Sequence, residues 1–366
     1  MSGGIDSAYA ACLLKEQGYN TIGFTFDLLP RGLRSESNPR VCCSAISMNR
    51  ARRIADRLSI PHYVINMREE FEQHVIRKFV DEYGKGRTPN PCVLCNRHIK
   101  FASFLEKASA MGADRVATGH YARVEETPQG PVLKKGKDRA KDQSYFLYPV
   151  PHADLPRLTF PLGSHTKEMV RREFAAGACG QVEMQESQDI CFVPGNDYRR
   201  FMEQFIPPRR GQVVTVDGAL VGYHDGVHLY TVGQRRGINI PCKEALYVIE
   251  LRAEENLLVV GPKDRLMQRR LIADEVNMLT SRLQGEAWAK VRYRQKEEPC
   301  SYSVRDGLLE VVFGRPISAI TPGQSVVLYD GETVLGGGTI KLAGEAAVRL
   351  SRDEASRENS ARMTAG

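Results

Sequence analysis

The sequence contains no apolar run approaching the roughly 18 residues that suggest a membrane-spanning helix. Its opening residues do not read as a secretory leader. No internal repeat is evident, which argues against a solenoid or propeller. The phosphate-loop pattern GxxxxGK[ST] is absent, and with it the usual nucleotide triphosphatase loop. Nine cysteines are scattered over 366 residues, an odd number and no secreted disulfide scaffold. A reducing cytoplasm is therefore expected, where thiols are available for chemistry. Charge is not extreme: 51 basic against 44 acidic residues give a net charge of +7. That is a modest lean toward polyanionic partners and alone does not separate an RNA binder from a bland basic enzyme. The chain is long enough for two or three domains with real cores.

What is present begins at once, in SGGIDS at residues 2–7. Two glycines permit a tight turn, Ser2 and Ser7 add hydroxyls, and Asp6 adds a carboxylate. Ala8–Gln17 reads as a helix with Ala10, Leu13 and Leu14 facing inward. A glycine turn feeding a helix N-terminus is an anion cradle, because several amide N–H groups point the same way. In a doubly wound domain such a loop follows a strand, and no residues precede Met1 to supply one. The expectation is that the chain is a piece of a longer one, with its start upstream.

Strand signals at 19–26, 60–67 and 114–124 alternate with helical ones at 45–58, 69–83, 100–111 and 167–176. This predicts an α/β domain over 1–205, with a doubly wound, mostly parallel sheet. Residues 31–40 read as a surface loop, and 84–96 (GKGRTPNPCVLCN) as a loop rich in glycine and proline. PPRRG at 207–211 reads as a linker. Short β-branched runs then follow, separated by Gly, Pro and Asp. They predict a small β-rich central domain over 206–263 and a C-terminal β-barrel over 264–346, with a frayed tail over 347–366.

The cysteines are unequal. Cys92 and Cys95 form a CxxC, Cys42 and Cys43 are adjacent, and Cys191 lies in ESQDICF. A CxxC can be half a zinc site, a redox pair, or one reactive thiol beside a bystander. Adjacent cysteines make poor co-ligands, so no metal is expected. Cys12 and Cys179 read as small buried hydrophobes. Cys95 does not, and Arg97, His98 and Lys100 stand near it to lower a thiol pKa. Read as a strand residue between Ile190 and Phe192, Cys191 faces the opposite way, toward a cleft.

Together SGGIDS, GRTPNPCVLCNRHIKF, ATGHYAR, KDQSYFL, FPLG, SQDICF, YTVGQRRG, KVRYR and PGQ…LGGG resemble the tRNA-specific 2-thiouridylases over residues 2 to about 340. These form a branch of the ATP-pyrophosphatase enzymes with an adenine nucleotide alpha hydrolase-like N-terminal domain. The resemblance implies a cytoplasmic enzyme that adenylates the 2-oxygen of the wobble uridine in tRNAs for Lys, Glu and Gln. Persulfide sulfur then replaces that oxygen, releasing AMP and pyrophosphate. It implies ATP, with Mg²⁺, held at Ser2, Gly3, Gly4, Asp6, Ser7, Phe26 and Gly119. Asp6 is also placed in the catalytic set, and a side chain at Gly119 is expected to crowd the nucleotide. Cys191 is the implied persulfide carrier and Cys95 the nucleophile that resolves it, through a transient Cys95–Cys191 disulfide. Asn90, Pro91 and Cys92 match the segment lining the target base. His120, Lys141, Asp142, Gln143, Arg292, Tyr293 and Gln324 match tRNA contacts. The implied partners are the tRNA anticodon loop and a cysteine desulfurase or sulfur-relay protein, with no membrane and a monomeric enzyme.

The chain departs from the family pattern in places. Ala8 stands where a second serine is common, Phe26 where methionine is, and Cys92 where aspartate also occurs. Two other readings stay open at this point. One is an ATP-pyrophosphatase synthetase acting on a small molecule, which needs no paired thiols. The other is a tRNA-binding homologue without catalysis. From residues alone, KVRYR reads equally as a solvated barrel strand and RRG at 235–237 as a charged turn.

Overall fold

The computed structural model describes residues 1–30, 33, 45–177, 190–193, 195, 197–344 and 346–347. The expected loop at 31–40, Cys42, Cys43, Cys179, part of ESQDICF and all but the first residue of the tail lie outside the described residues, residue 33 excepted. Contacts divide the chain into two units. One comprises Met1–Lys78, Pro91–Phe201 and Glu332–Val334. The other comprises Phe79–Asn90, Met202–Gly331 and the chain from Leu335.

The first unit is α/β. Its elements run α1 (Ile5–Glu16), β1 (Gly23–Asp27), α2 (Ala45–Leu58), β2 (His62–Asn66) and α3 (Arg68–Phe71). A π-helical stretch, Glu72–Arg77, follows, and of the next helix, α4 (Lys78–Gly84), only Lys78 belongs to this unit. After Asn90 come α5 (Pro91–Leu94), a second π-helical stretch (Cys95–Ser103) and α6 (Phe104–Ala110). Then follow β3 (Val116–Ala117), β4 (Ala122–Thr127), β5 (Gly130–Lys135), β6 (Leu158–Thr159), α7 (Lys167–Ala176) and α8 (Tyr198–Met202). β1 and β2 pair in parallel, as do β3 and β6, while β4 and β5 form an antiparallel hairpin. α1 buries Ala8, Tyr9, Ala10 and Cys12 against Ile54 of α2 and Val170 and Phe174 of α7. Each large side chain so buried contributes roughly 1.5–3 kcal/mol.

Three expectations shift here. α1 begins at Ile5, inside the glycine motif, rather than at Ala8. The expected strand at 114–124 is two short ones, because the chain breaks its extended run at Thr118–Tyr121 to turn past the glycine loop. The expected loop around CxxC is helical from Pro91 onward. Proline at the first helical position lacks only an N–H that would have no helical partner there. Pro91, one of the two prolines that suggested a loop, therefore starts a helix.

The second unit is β-rich. β7 (Gly211–Thr215), β8 (Leu220–His224), β9 (Tyr247–Arg252) and β10 (Leu257–Gly261) form a sheet in the order β8-β7-β10-β9. It packs Val213, Tyr230, Ile238, Val248, Leu258 and Val260 together. β11 (Met267–Met278), β12 (Gln284–Lys290), β13 (Glu298–Arg305), β14 (Leu308–Ser318), β15 (Ser325–Asp330) and β16 (Thr333–Ala343) follow in the order β11-β14-β13-β12-β15-β16. β16 pairs back onto β11, so the barrel closes and leaves no exposed edge. Alternation drives this closure: along β14, Leu309, Val311 and Phe313 are buried while Leu308, Glu310 and Val312 are less so. KVRYR is not a continuous strand, as one expectation had it. β12 ends at Lys290, and a turn follows in which Gln295 N donates to Arg292 O at 3.1 Å. No helix among the described residues is long and apolar enough to cross a membrane.

Candidate active site

The glycine loop is fixed by its own hydroxyls. Ser2 N donates to Ser7 Oγ at 3.0 Å, the two serine hydroxyls lie 3.1 Å apart, and Ser7 Oγ donates to Gly4 O at 3.0 Å. Gly3 has φ +73°, and a Cβ there would stand 2.4 Å from Ser47 O in the first turn of α2. Only glycine fits this position. Gly4 is different: a Cβ would meet nothing closer than Ser2 Oγ at 3.5 Å. A Cβ at Gly119 would meet Asp6 O at 2.9 Å and Ser7 N at 2.9 Å. The crowding expected of Gly119 is thus first with the loop backbone, which the segment after β3 presses against directly.

Asp6 has two partners that sequence reading missed. Lys167 Nζ lies 2.7 Å from Oδ1 and 2.8 Å from Oδ2, and Tyr121 OH donates to Oδ1 at 2.8 Å. Lys167 is buried, and it opens α7 just after the Thr166 cap. A lysine in a helix's first turn opposes the helix dipole, and that misplacement is the one signal in FPLGSHTK that pointed to an anionic partner. Asp6 carries a negative charge into an anion cradle. Lys167 offsets it.

KDQS supports the same point. Buried Asp142 accepts from Gly136 N at 2.9 Å, Ser144 N at 3.1 Å and Ser144 Oγ at 2.9 Å. Gln143 brackets Tyr121, accepting from Tyr121 N at 3.0 Å while its own N donates to Tyr121 O at 2.9 Å. So Asp142 shapes the turn, Gln143 holds Tyr121, and Tyr121 holds Asp6. The Asp142 side chain, matched to a tRNA contact, is turned inward by these bonds. His120 is also inward, between Phe101 and Phe160, with Nδ1 2.7 Å from Thr118 Oγ1. Burial, with Lys100 nearby, holds its imidazole well below the ordinary 6.5, so it is neutral. Lys141 is half-buried, its backbone N–H bonded to Asp138 O at 3.1 Å. Phe26 presents its ring edgewise to Phe104 at 4.8 Å.

Cys92 and Cys95 sit one helical turn apart on the helix that starts at Pro91, and are neighbours on one face. Their exposure differs: Cys92 is exposed and Cys95 buried, against the expectation of an accessible Cys95. The helix is braced by Asn96, whose Nδ2 donates to Phe146 O at 2.9 Å, and by His98 stacked on His74 at 4.9 Å. π-helical segments such as the one that begins at Cys95 recur at functional sites. Cys191 lies in a turn, not a strand, closed by Val193 N to Ile190 O at 3.1 Å. It is half-buried beside Phe192, which packs on Phe71 at 5.7 Å and Phe201 at 5.3 Å. Phe71 ends α3, and α3 packs on the helical stretch that carries Cys95. Among the described residues no group of three or more His, Cys, Asp or Glu is placed to hold a metal.

In the second unit four sequence motifs converge. Thr88 of RTPN donates from Oγ1 to Thr231 Oγ1 of YTVG at 3.1 Å, and from N to Pro322 O at 2.9 Å. Gln324 Nε2 donates to Thr88 O at 2.8 Å, which anchors the strand of chain ending in half-buried Asn90. Arg292 Nη2 donates to Val232 O at 2.9 Å and also to Thr321 Oγ1. Arg292 is the residue matched to a tRNA contact, and its Nη2 is engaged inside the unit. Tyr293 beside it is half-buried.

The profile of the tRNA methyl transferase HUP domain matches residues 1–195, which hold the loop, Lys167, Cys95 and Cys191. The tRNA methyl transferase PRC-barrel domain matches 199–262 and the aminomethyltransferase beta-barrel domain 268–340. A tRNA-specific 2-thiouridylase MnmA of Halothermothrix orenii is 44% identical over 348 residues, covering 93% of this chain and 97% of that protein. The chain belongs to the tRNA-specific 2-thiouridylase family. Two further proteins of that name, from Geobacter metallireducens and Salinibacter ruber, are each 44% identical, over 358 and 362 residues. Each alignment covers 94% of this chain, with 96% and 94% of the relative. The α/β HUP domain, small central domain and C-terminal barrel expected from the sequence are the family's architecture.

Proposed function

We infer that this chain is a tRNA 2-thiouridylase, acting on the wobble uridine of tRNAs for Lys, Glu and Gln in the cytoplasm. The observation that carries the reading is the Asp6–Lys167–Tyr121 constellation, set in a glycine loop on the same unit as Cys95 and Cys191. A charge-compensated anion cradle on the same unit as two thiols fits a reaction that needs both nucleotide and sulfur. The small-molecule synthetase reading leaves the thiols without a use.

The loop amides of Ser2–Ser7 hold the triphosphate end of ATP, with Phe26 toward the adenine. The uridine 2-oxygen attacks the α-phosphorus and pyrophosphate leaves, so the oxygen becomes a good leaving group. Lys167 balances Asp6, so the carboxylate does not repel the phosphate charge that gathers in the loop. Mg²⁺, carried in on the nucleotide's phosphate oxygens, would further neutralise that charge.

The terminal sulfur of a Cys191 persulfide attacks C2, and AMP departs. The base is then joined to Cys191 through a disulfide. Cys95 thiolate attacks Cys191 Sγ, the 2-thiouridine leaves as the thiolate of that exchange, and a Cys95–Cys191 disulfide remains. A dithiol reductant returns both thiols, and a cysteine desulfurase or relay protein reloads Cys191. Asn90, Pro91 and Cys92 line the target base. Anticodon-loop bases are already single-stranded, which lowers the cost of extrusion. The enzyme works as a monomer.

Incubation with unmodified tRNA, ATP and a persulfide source tests this reading. It requires pyrophosphate release that depends on tRNA, together with 2-thiouridine in the digested product. Release without tRNA, or tRNA binding with neither product, contradicts it.

A further inference from the structure

One motif is left unused by this chemistry: the QRRG turn at 234–237. The turn is strongly built. Gln234 N donates to Thr231 O at 3.0 Å, and Gln234 Oε1 accepts from Thr231 N at 3.1 Å. Gln234 Nε2 donates to Arg236 O at 2.8 Å, which fixes the backbone under both arginines. Gly233 N to Val248 O at 2.8 Å and Val248 N to Gln234 O at 2.9 Å tie the turn to β9. Gly233 and Gly237, at φ +87° and +78°, supply the left-handed backbone at either end. From the other side Arg292 grips Val232 O, and Thr231 Oγ1 accepts from Thr88.

On this rigid turn stand Arg235 and Arg236, both exposed. Among the described residues neither guanidinium has an ion pair or hydrogen-bond partner. A turn so heavily braced is not needed merely to solvate two charges. Two adjacent guanidiniums held at a fixed backbone are a fork for phosphate oxygens. The same unit anchors the Thr88–Asn90 segment to this turn, so what the fork holds is registered to that segment.

We propose that Arg235 and Arg236 form a clamp for the phosphate backbone of the tRNA substrate, and that Arg292 is a positioning residue for this clamp rather than a contact. The proposal rests on the thiouridylase reading above. It reassigns the basic character of KVRYR: Arg292 acts through Val232 on the turn.

Binding of an unmodified tRNA transcript, measured against salt, tests it. The R235Q/R236Q chain should bind more weakly and lose about 1.5 units of the log–log salt slope, with its thermal unfolding unchanged. R292A should also lose slope, but should lose none further in the R235Q/R236Q background, since coupled residues are not additive. R292K should behave like R292A, because lysine cannot reproduce the guanidinium's paired donation. An unchanged slope in R235Q/R236Q overturns the clamp. A further unit lost on adding R292A, or full rescue by R292K, overturns the positioning role in favour of a direct contact. A parent chain that binds no tRNA at all overturns the thiouridylase reading and the clamp with it. A parent that binds while R235Q/R236Q keeps its slope sinks the clamp alone.

Discussion

Lys167 Nζ lies within 2.7 and 2.8 Å of the two carboxylate oxygens of Asp6. The Lys167 side chain is 8% exposed and the Asp6 side chain 35%. The two residues therefore differ in what their loss leaves behind. Asp6→Asn strands a buried ammonium, whereas Lys167→Met leaves a carboxylate that water still reaches. Asp6→Asn is expected to lower stability by about 1–3 kcal/mol, below the full cost of breaking a buried pair because water screens Asp6. Lys167→Met should cost less, and both should abolish tRNA-dependent pyrophosphate release while leaving tRNA affinity within about tenfold. Chemical denaturation and a pyrophosphate assay check this. Equal destabilisation, or strong loss of tRNA binding with normal nucleotide binding, goes against it.

The glycines sort by what a methyl group would strike. Gly3→Ala and Gly119→Ala push on backbone at 2.4 and 2.9 Å, so both should raise the KM for ATP sharply. Gly4→Ala has room in the protein, its nearest neighbour being 3.5 Å away. Loss of ATP binding in Gly4→Ala with an unaltered melting temperature marks the ligand itself as the obstacle. Normal ATP binding there places the phosphates away from Gly4.

Acid should destabilise the chain. Burial pushes His120, His224 and His228 below their ordinary value of 6.5, so the folded state binds fewer protons than the unfolded one near that pH. Stability is then fully present above about 6.5 and falls as pH drops through the lower folded values. Each neutral histidine contributes a slope of up to about 1.4 kcal/mol per pH unit in that window. The unfolding midpoint should be lower at about pH 5.5 than at about pH 7.5, with proton uptake on unfolding. A flat profile contradicts the burial of these rings in neutral form.

Thiol reactivity should follow burial. Cys92 and Cys242 are exposed and Cys95 is buried, so a brief alkylation pulse should label the first two ahead of Cys95. Cys92→Ser should keep substantial activity. Peptide mapping that finds Cys95 labelled first would contradict the burial of Cys95 in the free enzyme.

The layers and the barrel were legible because alternation and turn residues act locally. What was not legible depends on pairs distant in sequence. Lys167 and Tyr121 lie 161 and 115 residues from Asp6, and at short range only the lysine's place in a helix's first turn hints at an anionic partner, without naming it. The prolines around CxxC were read as loop formers, yet Pro91 starts a helix and leaves Cys95 inside it. Arg292 looked like a surface cation, since a sequence shows charge but not that a carbonyl and a hydroxyl await it. Gly119 is expected from sequence to crowd the nucleotide, and the structure adds a nearer obstacle that sequence does not show, the Asp6 backbone.

A single turnover with isotopically labelled persulfide sulfur tests the central claim most directly. The chain is loaded with labelled sulfur and desalted. ATP and unmodified tRNA are added, and protein and tRNA are analysed by mass spectrometry. The account predicts label first on Cys191, then in 2-thiouridine, with a Cys95–Cys191 disulfide left on the protein. Cys191→Ser should accept no label, whereas Cys95→Ser should accept it and retain the tRNA as a mixed disulfide. A dominant Cys92–Cys95 bond, with sulfur reaching uridine after loss of Cys191, would contradict the account in favour of a local CxxC redox pair.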